Sequence, residues 1–180
     1  MIKPWPIIES TKDSDMGLFC VKTNRCRSPR TGQEHTFYVI DFPSWVQVIP
    51  ITPDDQVVMI RQYRHGCGRI FLELPGGLID KDDLSPYQTA KRELLEETGY
   101  RAEDLILLTS IYPQPAVLNN KGLTYLAREV KKVAEPNLDA TEDIEVCLVE
   151  LQRIPEMIQG GEINHGQTVM ALSLYFLLNK

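Results

Sequence analysis

The stretch LPGGLIDKDDLSPYQTAKRELLEETGY, Leu74 to Tyr100, sets three glutamates, Glu93, Glu96 and Glu97, on a segment that reads as a helix. Ser85 is a good N-cap, Pro86 suits the first helical position, Gln88 completes a capping box and Gly99 is a natural stop, so a helix is predicted near 86–98. At the helical period, Tyr87, Ala90, Leu94 and Thr98 share an apolar face, and Arg92, Glu93, Glu96 and Glu97 are expected on the face opposite the core. Like charges three and four residues apart repel, and a helix C-terminus already carries partial negative charge. The cluster therefore asks for a compensating positive charge.

A solvated acidic face, partly neutralised by Arg92 four residues before Glu96, is one reading. The residues before the helix favour another. Gly76 and Gly77 close a strand-like segment, and without side chains they let a backbone carbonyl approach whatever the glutamates bind. Carboxylates and a carbonyl are hard oxygen donors of the kind that suits Mg²⁺ or Mn²⁺, and Mg²⁺ commonly completes its octahedron with water and substrate phosphate.

On either side of this stretch the chain reads as strands. WVQVIP, Val57 to Ile60 and Ile70 to Leu74 precede it; LILLTSIYPQP, GLTYLAREVKKV and IEVCLVEL follow, then a short helix around Pro155 to Gln159 and an apolar helix from about Gln167. Strands on both sides of a central helix, with another helix at the end, predict an α/β fold in which helices cover the faces of a mixed sheet. The first residues, with FYVIDF and the turn-like SPRTGQEH, read as a β extension. The division expected is 1–45 for the extension and 46–180 for the main domain.

With 180 residues and 43% hydrophobic content, a substantial core is available, and a net charge of -6 gives no basic footprint for nucleic acid or an anionic membrane. Cys20, Cys26, Cys67 and Cys147 have no zinc or disulfide-framework spacing, and they read as reduced thiols. MIKPWPIIES lacks a signal-peptide apolar run and TVMALSLYFLL is too short to span a bilayer, so a soluble cytoplasmic protein is expected. His35, His65 and His165 form no metal-binding spacing, and Trp5 and Trp45 read as packing residues.

From Gly77 to Tyr100 the chain resembles the Nudix hydrolases, whose box runs Gly, five residues, Glu, seven residues, Arg-Glu, apolar, any, Glu-Glu, any, Gly, apolar. Here five residues separate Gly77 from Asp83, and eight lead on to Arg92-Glu93, Leu94, Leu95, Glu96-Glu97, Thr98, Gly99 and Tyr100. Asp83 stands where the box has its first Glu, and one residue, Leu84, is extra. The resemblance implies a Nudix-type α/β/α sandwich with a mixed β-sheet and, here, an N-terminal β extension. It also implies that Glu93 and Glu97 are the principal metal ligands, that Glu96 joins them directly or through water, that Gly76 offers its carbonyl and that Arg92 orients the glutamates.

MIRQYRHG followed by LELPGGLID, Pro115 fifteen residues past Tyr100, and the ending EDIEV with GGEINHGQTVMAL resemble the ADP-ribose pyrophosphatase branch of that family. By that likeness Arg64, with Arg61 as a second candidate, meets the substrate phosphates and Pro115 lines the substrate site. The general base comes from the acidic loop PNLDATEDIEV, where Glu142 matches best and Asp139 is the reserve; Glu96 is the box residue left for the role. The extension implies a homodimer. The implied reaction is Mg²⁺-dependent hydrolysis of ADP-ribose to AMP and ribose 5-phosphate. Another nucleoside diphosphate derivative as substrate, and a degenerate domain that binds without cutting, are the alternatives.

Overall fold

The computed structural model describes residues 1–179, which fall into two compact units. The first comprises 1–44 and 112–121. Its strands β1 (Ile7–Asp15), β2 (Cys20–Arg27) and β3 (Glu34–Asp41) form an antiparallel sheet in that order. Residues 112–121 are tied to it: the Ile40 N–H donates to the Val117 carbonyl at 2.8 Å, and the Asn119 amide donates to Asp41 at 2.6 Å. This unit hides little of its apolar surface. Cys20 and Cys26 are buried, whereas Ile7, Ile8, Phe37 and Tyr38 are exposed, with Trp5 edge-on to Phe37 and also open to solvent.

The second unit, 45–111 and 122–179, carries the glutamate helix. Its elements are β4 (Trp45–Pro50), β5 (Gln56–Arg64), β6 (Arg69–Glu73), α1 (Pro86–Thr98), β7 (Tyr100–Arg101), β8 (Ile106–Ile111), β9 (Gly122–Ala127), β10 (Lys131–Lys132), β11 (Ile144–Glu150), α2 (Ile154–Gln159) and α3 (Gly166–Leu178). Strands β4, β9 and β8 make a mixed sheet, parallel between β4 and β9 and antiparallel between β9 and β8. Strands β11, β5 and β6 make an antiparallel one.

Successive side chains of a strand point to opposite faces, and β4 and β5 use both for burial. Ile49, Ile51, Val57 and Met59 pack with Ile154, Met157, Ala171 and Leu172 of α2 and α3. Val46, Val48 and Val58 pack with Ala90 and Leu94 of α1. These two cores produce the layered arrangement predicted from the order of strands and helices. Leu94 is fully buried, so its truncation to Ala would cost roughly 2–5 kcal/mol.

Helix α1 has the predicted bounds and caps. The Gln88 N–H donates to Ser85 Oγ at 3.3 Å, and Gly99 ends the helix at φ 74°, its N–H donating to the Leu95 carbonyl. A side chain at Gly99 would run into the Ala134 carbonyl, so glycine is required by both conformation and space. The faces of α1 differ from the expectation. Glu93 and Glu97 are buried beside Ala90, Leu94 and Thr98, and only Glu96 remains partly open. The reason is helical geometry: positions 90, 93, 94, 97 and 98 follow the i, i+3, i+4, i+7, i+8 stripe, so these two carboxylates adjoin the apolar face instead of opposing it.

Candidate active site

Residues 74–79 lie along β4. The Val48 N–H donates to the Pro75 carbonyl and the Val46 N–H to the Gly77 carbonyl, both at 2.9 Å. Gly76, between them, faces the other way: its N–H donates to Glu97 Oε2 at 2.7 Å. In extended backbone the N–H and C=O of one residue leave along the same edge. The Gly76 carbonyl therefore lies on the Glu97 side, and it accepts no hydrogen bond from the described residues. A side chain at Gly76 would collide with the Val46 carbonyl, and a Cβ on Gly77 would stand 2.5 Å from Glu93 Oε1. The two glycines let the backbone pass between β4 and the carboxylates of α1.

Burial pushes the Glu97 carboxyl up to about 8; the Gly76 N–H and Arg64 oppose the shift, while Glu93 and Glu142 add to it. Burial likewise raises Glu93 to about 7, against the pull of Arg92 and with a push from Glu96 and Glu142. Glu142 acts on both carboxylates, whereas Glu96 acts on Glu93. The half-buried Glu142 lies two residues before β11, whose first residue, Ile144, pairs with Gln62 near the end of β5. Glu93 and Glu97 thus lie within electrostatic reach of each other and of Glu142, and Glu96 shares Arg92 with Glu93.

Arg92 is held as an organising group. It meets Glu93 Oε1 and Glu96 Oε2 at 2.9 Å each, and Asp83 Oδ2 at 3.2 Å. Burial alone would lower its basicity, but the bonds to Asp83 and Glu96 outweigh this and raise it. Asp83 also accepts from the Thr89 hydroxyl and the Asp80 N–H, each at 3.0 Å. The Arg92 guanidinium, foremost, holds the Asp83 carboxyl below its ordinary range. The shorter acidic residue therefore still reaches Arg92, and the extra Leu84 is 92% exposed and touches none of this.

Arg64, the last residue of β5, lies on the same face of its sheet as Glu73, which pairs with Ile60. Its Nε is 2.9 Å from Glu73 Oε1 and its Nη2 is 2.6 Å from Oε2. Arg61 projects from the other face of β5, 3.2 Å from both Glu145 and the Cys147 sulfur, and is half exposed. Pro115 belongs to the first unit, exposed in a turn. Asp139 is exposed, and its N–H donates to Glu142 Oε2 at 3.0 Å. Sequence reasoning passed over Glu73 and gave His165 no role. A glutamate ending an otherwise apolar strand, directly before Leu-Pro-Gly-Gly, was the available signal for the first.

Among the described residues no group of three or more His, Cys, Asp or Glu side chains stands ready to hold a metal ion. Protein donors occupy the carboxylates: Arg92 on Glu93 and Glu96, and the Gly76 N–H on Glu97. The donor types nevertheless fit a hard divalent cation. Two buried carboxylates displaced toward their neutral forms, beside an uncommitted carbonyl, are groups that such a charge would stabilise.

This arrangement has a consequence for stability. Below about pH 4.5 Glu93 and Glu97 are protonated in both folded and unfolded chains. Above it the unfolded carboxyls ionise freely while the folded ones resist up to about 7 and 8, so the folded state binds more protons and loses stability as pH rises through that window. In chelator, the melting temperature of the wild type is expected to fall more steeply between pH 5 and 8 than that of Glu97→Gln. Equal slopes in the two proteins would refute this.

The glycine-flanked strand, the loop and the glutamate helix are the parts of a Nudix site, and comparison with known proteins agrees. A family model described as the NUDIX domain matches residues 42–172, so the chain belongs to the Nudix family and is a Nudix pyrophosphohydrolase. It is 31% identical over 135 residues to the ADP-ribose pyrophosphatase of Bacillus subtilis (strain 168), covering 74% of this chain and 72% of that protein. It is 32% identical over 142 residues to the methanol dehydrogenase activator of Bacillus methanolicus, covering 78% of this chain and 76% of that one. In fold it is similar to a crystal structure of an ADP compounds hydrolase, with a TM-score of 0.86 at 23% identity over 99% of this chain and 95% of the other. No helix among the described residues is long and apolar enough to cross a membrane.

Proposed function

We propose that the protein hydrolyses the pyrophosphate bond of a nucleoside diphosphate sugar in a Mg²⁺-dependent reaction, with ADP-ribose giving AMP and ribose 5-phosphate. The observation that carries this reading is the buried Glu93–Glu97 pair beside the uncommitted Gly76 carbonyl. The likeness to an ADP-ribose pyrophosphatase supplies the substrate class.

Glu93, Glu97 and the Gly76 carbonyl would hold the metal, with Mn²⁺ as a competent substitute and Glu96 contributing through water. When bound, the ion supplies neutralising charge for the diphosphate and acidifies water. Arg92 keeps Glu93 and Glu96 in place. Arg64, which acts electrostatically on Glu97, binds the diphosphate. Arg61 engages Glu145 and is the weaker phosphate candidate. Glu142 takes the proton of the attacking water as its oxygen bonds to phosphorus and the bridging P–O bond breaks.

The departures that would favour a domain that binds without cutting do not reach the carboxylates. Asp83 still engages Arg92, and Leu84 points into solvent. Residues 1–45 form the extension through which the protein pairs as a homodimer; exposed Ile7, Ile8, Phe37 and Tyr38 are the apolar groups that pairing would cover. Nucleic acid and membrane are not partners in this reading, and the compartment is the cytoplasm, where Cys20, Cys26, Cys67 and Cys147 stay as the free thiols they are in this fold.

The test is a hydrolysis screen with Mg²⁺ over ADP-ribose, other nucleotide sugars, dinucleoside polyphosphates and NADH. ADP-ribose is expected to lead, and activity is expected to vanish in excess chelator. Full activity in chelator, or no hydrolysis of any diphosphate, would overturn the proposal. Light scattering at micromolar concentration should report a dimer; a monomer refutes the pairing.

A further inference from the structure

Glu73 presents an unusual situation for a carboxylate. It is 1% exposed at the end of β6, with apolar Leu72 and Leu74 buried on either side. A buried carboxylate needs close compensation, because removing its partner leaves an uncompensated charge in a poorly hydrated place. Two side chains face it, one of them backed by a third residue. Arg64 reaches Oε1 through Nε at 2.9 Å and Oε2 through Nη2 at 2.6 Å. His165 Nδ1 stands 3.4 Å from Oε2 and 3.0 Å from the Thr168 hydroxyl. Thr168 in turn accepts from the Leu74 N–H at 3.2 Å.

His165 is a poor counter-charge. Burial lowers its basicity first, with Glu73 working against this and Arg64 adding to it. Arg64 is thus the compensating cation. The consequence runs in both directions. Glu73 grips the guanidinium by the edge that carries Nε and Nη2, whereas the Nη1 donors make no hydrogen bond with any described residue. The Arg64 side chain is 44% exposed, so the gripped edge is inside and the group as a whole stays open to solvent. The same guanidinium acts on Glu97.

We propose that Glu73 is a positioning residue for substrate: it fixes Arg64 by one edge so that the Nη1 donors are presented to the substrate diphosphate beside Glu97. The inference rests on the reading of this site as a pyrophosphohydrolase site with Arg64 as a phosphate ligand. A planar guanidinium held at two atoms keeps its orientation, while a guanidinium on a free side chain samples many. Bidentate fixation thus lowers the rotational freedom that binding the diphosphate would otherwise have to remove.

The test uses the full chain with Mg²⁺ and ADP-ribose as probe. Glu73→Gln preserves the volume and one acceptor but removes the charge; Glu73→Asp preserves the charge but withdraws it by one methylene. Each is expected to lower kcat/KM by about 10- to 100-fold, the scale of a small misplacement of a substrate-orienting group. The loss should fall mainly in KM, with the cooperative melt retained. In the Arg64→Lys background, where no fork remains to be oriented, Glu73→Gln should lower kcat/KM less than 3-fold further.

Wild-type kcat/KM in a folded Glu73→Gln or Glu73→Asp protein would overturn the assignment. So would an undiminished effect of Glu73→Gln in the Arg64→Lys background, or loss of the cooperative melt in both single variants, which would make Glu73 a folding residue. If the wild-type chain hydrolyses no diphosphate at all, the reading of the whole site fails, an outcome distinct from an active wild type that is indifferent to Glu73.

Discussion

Glu97→Gln is expected to reduce kcat by at least roughly 10³-fold while leaving the fold intact, a larger loss than the 10- to 100-fold typical of residues that act on a metal from its outer shell. The variant separates charge from shape. Gln has the same length, and its amide oxygen can still accept from the Gly76 N–H, which now donates to Glu97 at 2.7 Å. What disappears is a carboxylate that burial, foremost, has raised to about 8. In the metal-free protein, that group is a liability at neutral pH and above, because the folded state resists an ionisation that the unfolded state permits. The metal-free variant should therefore melt at the same or higher temperature than the wild type at pH 8, even as turnover collapses. The wild type should gain stability on adding Mg²⁺, and the variant should gain much less. Unchanged kcat would remove Glu97 from the metal site. A fall in melting temperature in chelator would show that its buried charge supports the fold.

Much of this was legible in the sequence because local rules and tertiary packing coincide. Ser85, Pro86 and Gly99 bound α1 whatever surrounds it, and the apolar runs at Trp45–Pro50, Gln56–Arg64 and Ile144–Glu150 fill the central strands. The Nudix identity likewise rests on residues adjacent in the chain. What escaped depends on contacts distant in sequence. The burial of Glu93 and Glu97 requires knowing that residues 74–79 lie along β4 and cross the face of α1, which no helical wheel contains. Glu73 could be read as a strand residue, but its pairing with Arg64 needs the register of β5 on β6. The accommodation of Asp83 depends on Arg92 reaching back nine residues, so a departure visible in the pattern has a structural answer that the pattern cannot supply. The attachment of residues 112–121 to the N-terminal sheet is of the same kind: Ile40 and Val117 are far apart in the chain, and nothing in either segment announces the other.

Glu142→Gln should lower kcat by roughly 10²- to 10⁴-fold with little change in KM or stability, the effect of removing a base from a positioned water. In sequence Glu142 is a match in position within an acidic loop, a setting in which most carboxylates are merely solvated. The fold adds a physical reason. Within that loop Glu142 acts on both Glu93 and Glu97, while Asp139, Asp143 and Glu145 lie exposed and Glu145 is engaged with Arg61. One Glu142 oxygen accepts the Asp139 N–H at 3.0 Å, a contact that anchors the carboxylate and leaves the second oxygen to receive a proton. Asp139 thus acts through its backbone, so Asp139→Asn should preserve activity because it preserves that N–H. The pair of variants discriminates the roles. Loss in Glu142→Gln with retention in Asp139→Asn supports Glu142 as the base. Retention in Glu142→Gln with loss in Asp139→Asn transfers the role to Asp139, and retention in both leaves Glu96, the more exposed box glutamate, to activate the water. A metal-ligand role for Glu142 is separated by titrating activity with Mg²⁺: a ligand lost would raise the concentration needed for half-maximal rate, whereas a base lost would lower the plateau and leave that concentration unchanged.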